Sequence, residues 1–373
     1  MTARSRLRTA LVLGLVVALI GAGAGPALAA GAVADQTPTD QHDATMNQAD
    51  DCTFPVETTD ATGTEVTVDE EPETVVTLAP SAAQTMWEIG AEEKVIGVSQ
   101  YSSYLEGADS RTNVSGASQF VDNERVVDLE PDLVLAPDII DDETVQKLRD
   151  SGLTVYKFES ATSLADVEEM TRLTGQLVGA CEGADQRATE MNETLEGIRD
   201  RVEDDDRPRV LYTMGGGYTA GEGTFIDDIL ETAGGTNVAA EAGIEGYEKM
   251  SEEQLVEHDP EWIVTNTDIG SVPDSAGYDA TTAVQEDQVV VVEASYVSEA
   301  APRTVQVVEE LAAAFHPDAM DGTVTETTDE TTAEPTTEPT QTADQTTTAT
   351  TPGMGIPVAV LAIALVGLSL RRE

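Results

Sequence analysis

Histidine, cysteine and basic residues are scarce in this chain, and each scarcity removes a class of chemistry. The three histidines, His42, His258 and His316, form neither an H-E-x-x-H motif nor an i, i+4 pair. A zinc hydrolase therefore has no ligand set, and capture of bare metal by a histidine cluster has none either. No G-x-S-x-G elbow is present. Gly215-Gly216-Gly217 follows an expected strand, but neither G-x-G-x-x-G nor a Walker lysine accompanies it, so the usual nucleotide cradles are missing. Lys and Arg number 19 against 71 Asp and Glu, a formal net charge of −52, and such a surplus repels nucleic acid and anionic lipid. No D-x-[DN]-x-[DN]-G loop gathers these acids around calcium. They are scattered along the whole chain, the habit of a protein kept soluble in concentrated salt, and the expected source is a halophilic archaeon. With no catalytic constellation, the chain reads as a binder rather than an enzyme, with no cofactor and no resident metal.

The ends carry address signals. Arg4, Arg6 and Arg8 precede an apolar run that closes on Ala27-Leu28-Ala29, so residues 1–29 read as a secretory signal peptide. No Cys follows the run and the arginines are not adjacent, which speaks against a bacterial-type lipoprotein and a twin-arginine signal. Residues 30–51 read as a flexible lead. Residues 319–352 are mostly Thr, Glu, Asp, Pro and Ala, too poor in apolar surface to offset ordering entropy, and read as a disordered stalk. Residues 353–373 form a membrane or sorting tail, apolar from Gly355 to Leu370 and closed by Arg371-Arg372. Pro352-Gly353-Met354 and the tail behind it resemble the archaeal PGF-type C-terminal sorting signal, with Met where that family has Phe. The resemblance implies removal of the tail and its replacement by a lipid. Either way the folded part is expected on the extracellular face of the cell membrane, anchored at its C-terminus. In an exported chain the sequons at Asn113 and Asn192 are glycosylation candidates. Cys52 and Cys181 read there as a possible disulfide, with two free thiols as the alternative.

Between the ends, strand and helix patterns alternate twice. Val75–Leu78, Lys94–Val98, Leu133–Ala136 and Thr154–Phe158 read as short buried strands, with a helix from a Ser81 cap to Ile89 and another over Glu143–Arg149. The scheme repeats with strands at Arg209–Tyr212, Trp262–Thr265 and Val289–Val292 and helices at Phe225–Thr232 and Ala300–Phe315. Between the two sets Ala184, Ala188, Met191, Leu195, Ile198 and Val202 recur at steps of four and three, one apolar stripe of a long helix. The predicted fold is α/β: two Rossmann-like lobes, 52–181 and 206–318, joined by one bridging helix over 182–205, with a ligand cleft between the lobes.

A gapless pseudo-repeat supports this division. Glu124 through Val134 aligns with Glu253 through Ile263: a Glu stands seven residues before a Pro, acidic residues flank the Pro, and a strand follows. A short helix must end before each Pro, which restricts the residue preceding it. Each lobe thus offers one carboxylate at a matching place on its rim. These blocks, together with Val75-Val76-Thr77-Leu78-Ala79-Pro80-Ser81, Ser151–Val155 and the bridging helix, resemble the helical-backbone (class III) periplasmic-binding family for iron-siderophore and cobalamin uptake. The resemblance covers about residues 64–316. It implies a monomeric solute-binding protein that delivers its ligand to an ABC permease with ATPase subunits. It also implies that Glu124 and Glu253 dock onto permease arginines.

In open parallel sheets, ligands bind beyond the carboxyl ends of the strands. Those loops carry Ser81, Tyr101, Tyr104 and Asp138 in the first lobe. In the second they carry Met214, Tyr218, Tyr247, Asn266, Tyr296 and Arg303. Five tyrosines here, in a chain with 4% aromatics, suit a large amphipathic chelate. Only Arg111 and Arg303 are basic candidates, too few for an anionic ferric siderophore. A near-neutral corrinoid such as cobalamin is the first expectation, with a ferric siderophore or haem next. The unrelated alternative is a structural or adhesive surface protein on a stalk.

Overall fold

Short apolar runs bounded by turn residues become parallel strands, and the longer amphipathic runs cover both their faces. A computed structural model describes residues 52–116 and 121–321. The expected signal peptide, lead and sorting tail, and nearly all of the expected stalk, lie outside the described residues. Among the described residues, no helix is long and apolar enough to cross a membrane.

The first lobe opens with a ribbon of β1 (Val56–Thr59) and β2 (Glu65–Val68), paired antiparallel. Next come β3 (Val75–Thr77), α1 (Pro80–Glu88), β4 (Val95–Val98), β5 (Thr112–Asn113), α2 (Asn123–Asp128), β6 (Leu133–Ala136), α3 (Asp142–Asp150) and β7 (Val155–Lys157). The five strands β3 to β7 form one parallel sheet in the order β5-β4-β3-β6-β7. Two helices follow, α4 (Leu164–Val178) and α5 (Cys181–Val202).

The second lobe comprises β8 (Arg209–Tyr212), β9 (Tyr218–Ala220), α6 (Phe225–Thr232), β10 (Thr236–Asn237), α7 (Val238–Glu241), β11 (Tyr247–Lys249), α8 (Glu252–His258) and β12 (Trp262–Asn266). After these come α9 (Ala276–Asp279), α10 (Thr282–Gln285), β13 (Val289–Val292), α11 (Ala294–Val297), α12 (Thr304–Phe315) and α13 (Pro317–Met320). Its parallel sheet runs β10-β8-β12-β13, and β9 and β11 form a separate antiparallel ribbon.

The stripe on α5 is buried along its whole length. Ala184 joins the core of the first lobe, whereas Met191, Leu195 and Ile198 join that of the second. One difference from expectation is that the bridge is a pair of helices. Leu164 and Val167 of α4 belong to the second-lobe core, while Leu177 and Val178 belong to the first. The two helices lie side by side because Gly175 has no side chain: a Cβ there would stand 2.3 Å from the Cβ of Ala184. Gly183 likewise lets α5 approach the end of α1, for its Cβ would meet the Ile89 carbonyl oxygen at 2.2 Å.

Three smaller corrections are local. Ser81 does not cap α1; Ala79 is the cap residue and Pro80 opens the helix, in the first-turn position where its missing N–H is no loss. The last long helix starts at Thr304 rather than Ala300, because Pro302 interrupts the run and the Arg303 N–H donates to Gln84 instead. The short α13 occupies the beginning of the expected stalk.

The pseudo-repeat is geometric. α2 and α8 are each followed by an acidic residue with positive φ, Glu130 (47°) and Asp259 (37°), directly before a proline. The acid after each proline secures the next strand: Asp132 accepts from the Thr74 N–H at 2.8 Å and Glu261 from the Arg209 N–H at 2.9 Å. Asp132 and Glu261 thereby align each proline-led strand with its neighbour in the sheet.

Candidate functional site: two facing walls and an interlobe latch

The carboxyl ends of both sheets converge between the lobes. Six large apolar or aromatic side chains stay exposed there: Tyr101 and Ile139 from the first lobe, and Met214, Tyr218, Tyr247 and Ile269 from the second. In the second wall Gly215, Gly216 and Gly217 all take positive φ, a path open to glycine at little strain. This turn folds the chain back so that the Met214 N–H donates to the Tyr218 carbonyl at 3.0 Å. Tyr247 is 51% exposed, yet burial by surrounding protein, then Tyr212 and Asp138, raises its hydroxyl above the usual range. Asp138 of the other lobe is thus close enough to act on the Tyr247 hydroxyl. Asp138 itself accepts from the Ser160 hydroxyl.

Ile139 and Ile269 were not among the expected residues. Their signal is an isoleucine in the loop just past a strand, where turn residues are the rule; at Ile139 it is masked by its buried neighbour Ile140. Gly215 makes room for Ile269, whose Cδ1 would stand 3.3 Å from a Cβ at that position.

Two other candidates, Asn266 and Arg111, are committed elsewhere. Asn266 is 7% exposed. It donates to the Tyr212 hydroxyl at 3.0 Å and accepts from the Asp268 and Ile269 N–H groups, so it shapes the loop instead of facing a ligand. Ser81 is the second residue of α1, its carbonyl accepting from the Thr85 hydroxyl. Arg111 donates to the Glu92 carbonyl on the flank of the first lobe.

Tyr104, Tyr296 and Arg303 do come together, as a latch between the lobes. The Tyr104 hydroxyl donates to Glu299 at 2.8 Å and accepts from Gln84 at 2.8 Å. Gln84 also donates to the Ser295 carbonyl and accepts from the Arg303 N–H. The Arg303 guanidinium lies 6.0 and 5.7 Å from the ring centroids of Tyr104 and Tyr296. Glu88 of α1 holds it at 2.7 Å and holds Arg187 of α5 at 2.9 Å. Arg303 is thus no free cation for a ligand, because a carboxylate and two ring faces already satisfy it. Gln84, Glu88 and Glu299 were absent from the expected site. The available hint was a Gln and a Glu four residues apart on one face of α1.

Burial pushes Glu299 up to about 7, against the Tyr104 hydrogen bond and the Arg303 charge, which both lower it. A carboxyl raised in the fold binds its proton more tightly folded than unfolded. Its contribution therefore favours the fold below the unfolded value near 4.5, and declines as pH rises to about 7. Glu299→Gln keeps an acceptor for Tyr104 without the charge. It is expected to raise unfolding free energy at pH 8 by about 2–3 kcal/mol and to flatten the stability profile between about pH 4.5 and 7. Denaturant titrations across that range check it, and an unchanged profile would contradict it.

The permease-docking candidates Glu124 and Glu253 are exposed in the first turns of α2 and α8, behind the caps Asp122 and Ser251. Asn113 is exposed at the end of β5, its side-chain oxygen accepting from Ser115 N–H at 2.8 Å. Asn192 is half-buried on α5, and the Thr194 hydroxyl of its sequon is committed to the Glu190 carbonyl. Cys52 and Cys181 are joined in a disulfide with Cα atoms 5.7 Å apart.

Two parallel-sheet lobes on a helical bridge, with exposed apolar and aromatic side chains from both at their strand ends, define a solute-binding protein. The chain belongs to the periplasmic binding protein family, whose model matches residues 75–296. It is 44% identical to the cobalamin-binding protein of Halobacterium salinarum over 99% of this chain and all of that one. With the vitamin B12-binding protein of Vibrio cholerae it shares 26% identity over 64% of this chain and 87% of the other. Among solved structures, the periplasmic haem-binding protein of Roseiflexus superposes with a TM-score of 0.60 at 23% identity, covering 66% of this chain and 99% of that one. The periplasmic vitamin B12 binding protein of Vibrio cholerae gives 0.57 at 24%, covering 65% and 96%.

Proposed function

We propose that this protein captures a corrinoid, cobalamin first, on the outer face of the cell membrane and hands it to the permease of an ABC importer. The observation that carries the reading is the make-up of the facing walls: tyrosine and isoleucine from both lobes and methionine from the second, with Arg303 withdrawn into the latch. Broad apolar contact with scattered hydroxyls suits a large, near-neutral macrocycle. An anionic ferric siderophore needs arginine forks that these walls do not offer. The full-length kinship with a cobalamin-binding protein supports the same ligand. The remaining readings extend it: export by residues 1–29, tethering through residues 353–373, work in concentrated salt, glycans at Asn113 and Asn192, and docking through Glu124 and Glu253.

Calorimetric titration of the secreted protein in molar salt, with cobalamin, cobinamide, haem and ferric siderophores, tests the reading. One corrinoid per chain without turnover is expected. Tyr218→Ala with Tyr247→Ala should weaken cobalamin binding by about 100-fold, since burying an aromatic face contributes roughly 1.5–3 kcal/mol. Binding of a ferric siderophore alone, or of nothing, would overturn it.

A further inference from the structure

One exposed cation, Lys249, stands beside the tyrosines of the second wall. In the ribbon of β9 and β11, Tyr218 pairs with Lys249 and Ala220 with Tyr247. Directly opposed residues project to the same face, and residues two apart on a strand share it. Tyr218, Tyr247 and Lys249 therefore form one exposed face, and Glu248 takes the other. The Lys249 ammonium lies 4.9 Å from the centroid of the Tyr218 ring, within the range of a cation–π contact.

The chain has only four lysines. Three of them rest on carboxylates: Lys94 on Glu71 at 2.5 Å, Lys147 on Glu143 at 2.8 Å, and Lys157 on Asp142. Among the described residues Lys249 has no such partner, in a chain where acids outnumber bases 71 to 19. A ring face attracts the ammonium but accepts none of its three N–H bonds conventionally, so these remain available to an acceptor arriving with the ligand. Asp138 stands near Tyr247 from the other wall, so anionic groups are disfavoured there. The positive charge is confined to the Lys249 end of the ribbon.

We propose that Lys249, with the rings of Tyr218 and Tyr247, is the subsite for the phosphodiester and adjoining aromatic base of the corrinoid's nucleotide arm. The proposal rests on the corrinoid reading and adds the part of the ligand that is recognised. The ammonium donates to a phosphate oxygen, and the base lies against the tyrosine rings. In 1 M salt the screening length is about 3 Å, so the contact acts as a direct charge-assisted hydrogen bond and not through a long-range field.

Cobalamin and cobinamide separate the two ideas, because cobinamide lacks the phosphate and base. The secreted protein and its Lys249→Met and Lys249→Arg variants are titrated with both by calorimetry in molar salt. Lys249→Met, which keeps an apolar stem of similar length, should weaken cobalamin binding about ten-fold while changing cobinamide by less than about two-fold. Lys249→Arg should restore most of the cobalamin affinity. Equal losses for the two ligands, or none for either, would overturn the subsite and leave the corrinoid reading intact. Failure of the unaltered protein to bind either ligand would overturn the corrinoid reading, and the subsite with it.

Discussion

Cells carrying Glu124→Ala together with Glu253→Ala are expected to lose uptake by about ten-fold or more, with ligand affinity unchanged. The two carboxylates are exposed on the first turns of α2 and α8, one on each lobe, so one partner touching both senses the lobes together. In molar salt the acidic surface around them is screened beyond about 3 Å. What remains is direct contact, and a forked pair with an arginine is the strongest form it takes. A charged hydrogen bond contributes about 1.5–3 kcal/mol, so losing two removes most of a transient docking energy. The control is Asp128→Ala with Glu257→Ala, which deletes exposed acids from the last turns of the same helices. Glu130 is unsuited as a control, because its backbone already sits at a φ of 47° and a substitution there tests the turn instead. Equal uptake in the two strains would show that the rim is only a solvated acidic surface.

Replacing both Cys52 and Cys181 by serine is expected to lower the unfolding free energy by up to about 5 kcal/mol. The bond joins residues 129 apart in sequence, and in the chain-entropy model a loop of that length removes about this much from the unfolded state. Net stabilities are only about 5–15 kcal/mol, so the loss is a large share of the total. The bond holds the start of the described chain against the start of α5, and Phe54 and Val56 pack on the first-lobe core just beyond it. Fraying of β1 and β2 should therefore precede global unfolding in the variant. Denaturant curves of the unaltered protein, with and without reductant, and of the variant measure the effect. Superimposable curves would contradict it.

How much of the site was legible in the sequence depends on the distance over which its signal acts. Met214 and Tyr218 flank a run of glycines after a strand, a local pattern, and the structure leaves both exposed there. Tyr104, Tyr296 and Arg303 were legible as loop residues, but not as a latch. Their partners Gln84 and Glu88 lie some two hundred positions from Arg303 along the chain, and no local pattern encodes that pairing. Lys249 was invisible because β11 has three residues, all exposed, and its partner β9 is separated from it by α6, β10 and α7.

The sequence by itself determined the central strands β3, β4, β6, β7, β8, β12 and β13 and the helices α1, α3, α5, α6 and α12, because burial on a parallel sheet demands an apolar run and prolines and glycines stop it; the short edge strands and ribbons carry no such run. It determined the twofold plan through the pseudo-repeat, and the character of the bridge through the stripe on α5. Only the tertiary structure decided that α4 doubles that bridge, since its apolar residues divide between two cores that exist only once the lobes are folded. Only the tertiary structure decided which polar loop residues are committed within the protein and which stay exposed. Asn266 and Arg303 look as available in the sequence as Lys249 does. Burial obliges the first two to find partners within the protein, and the ribbon holds the third on an exposed face.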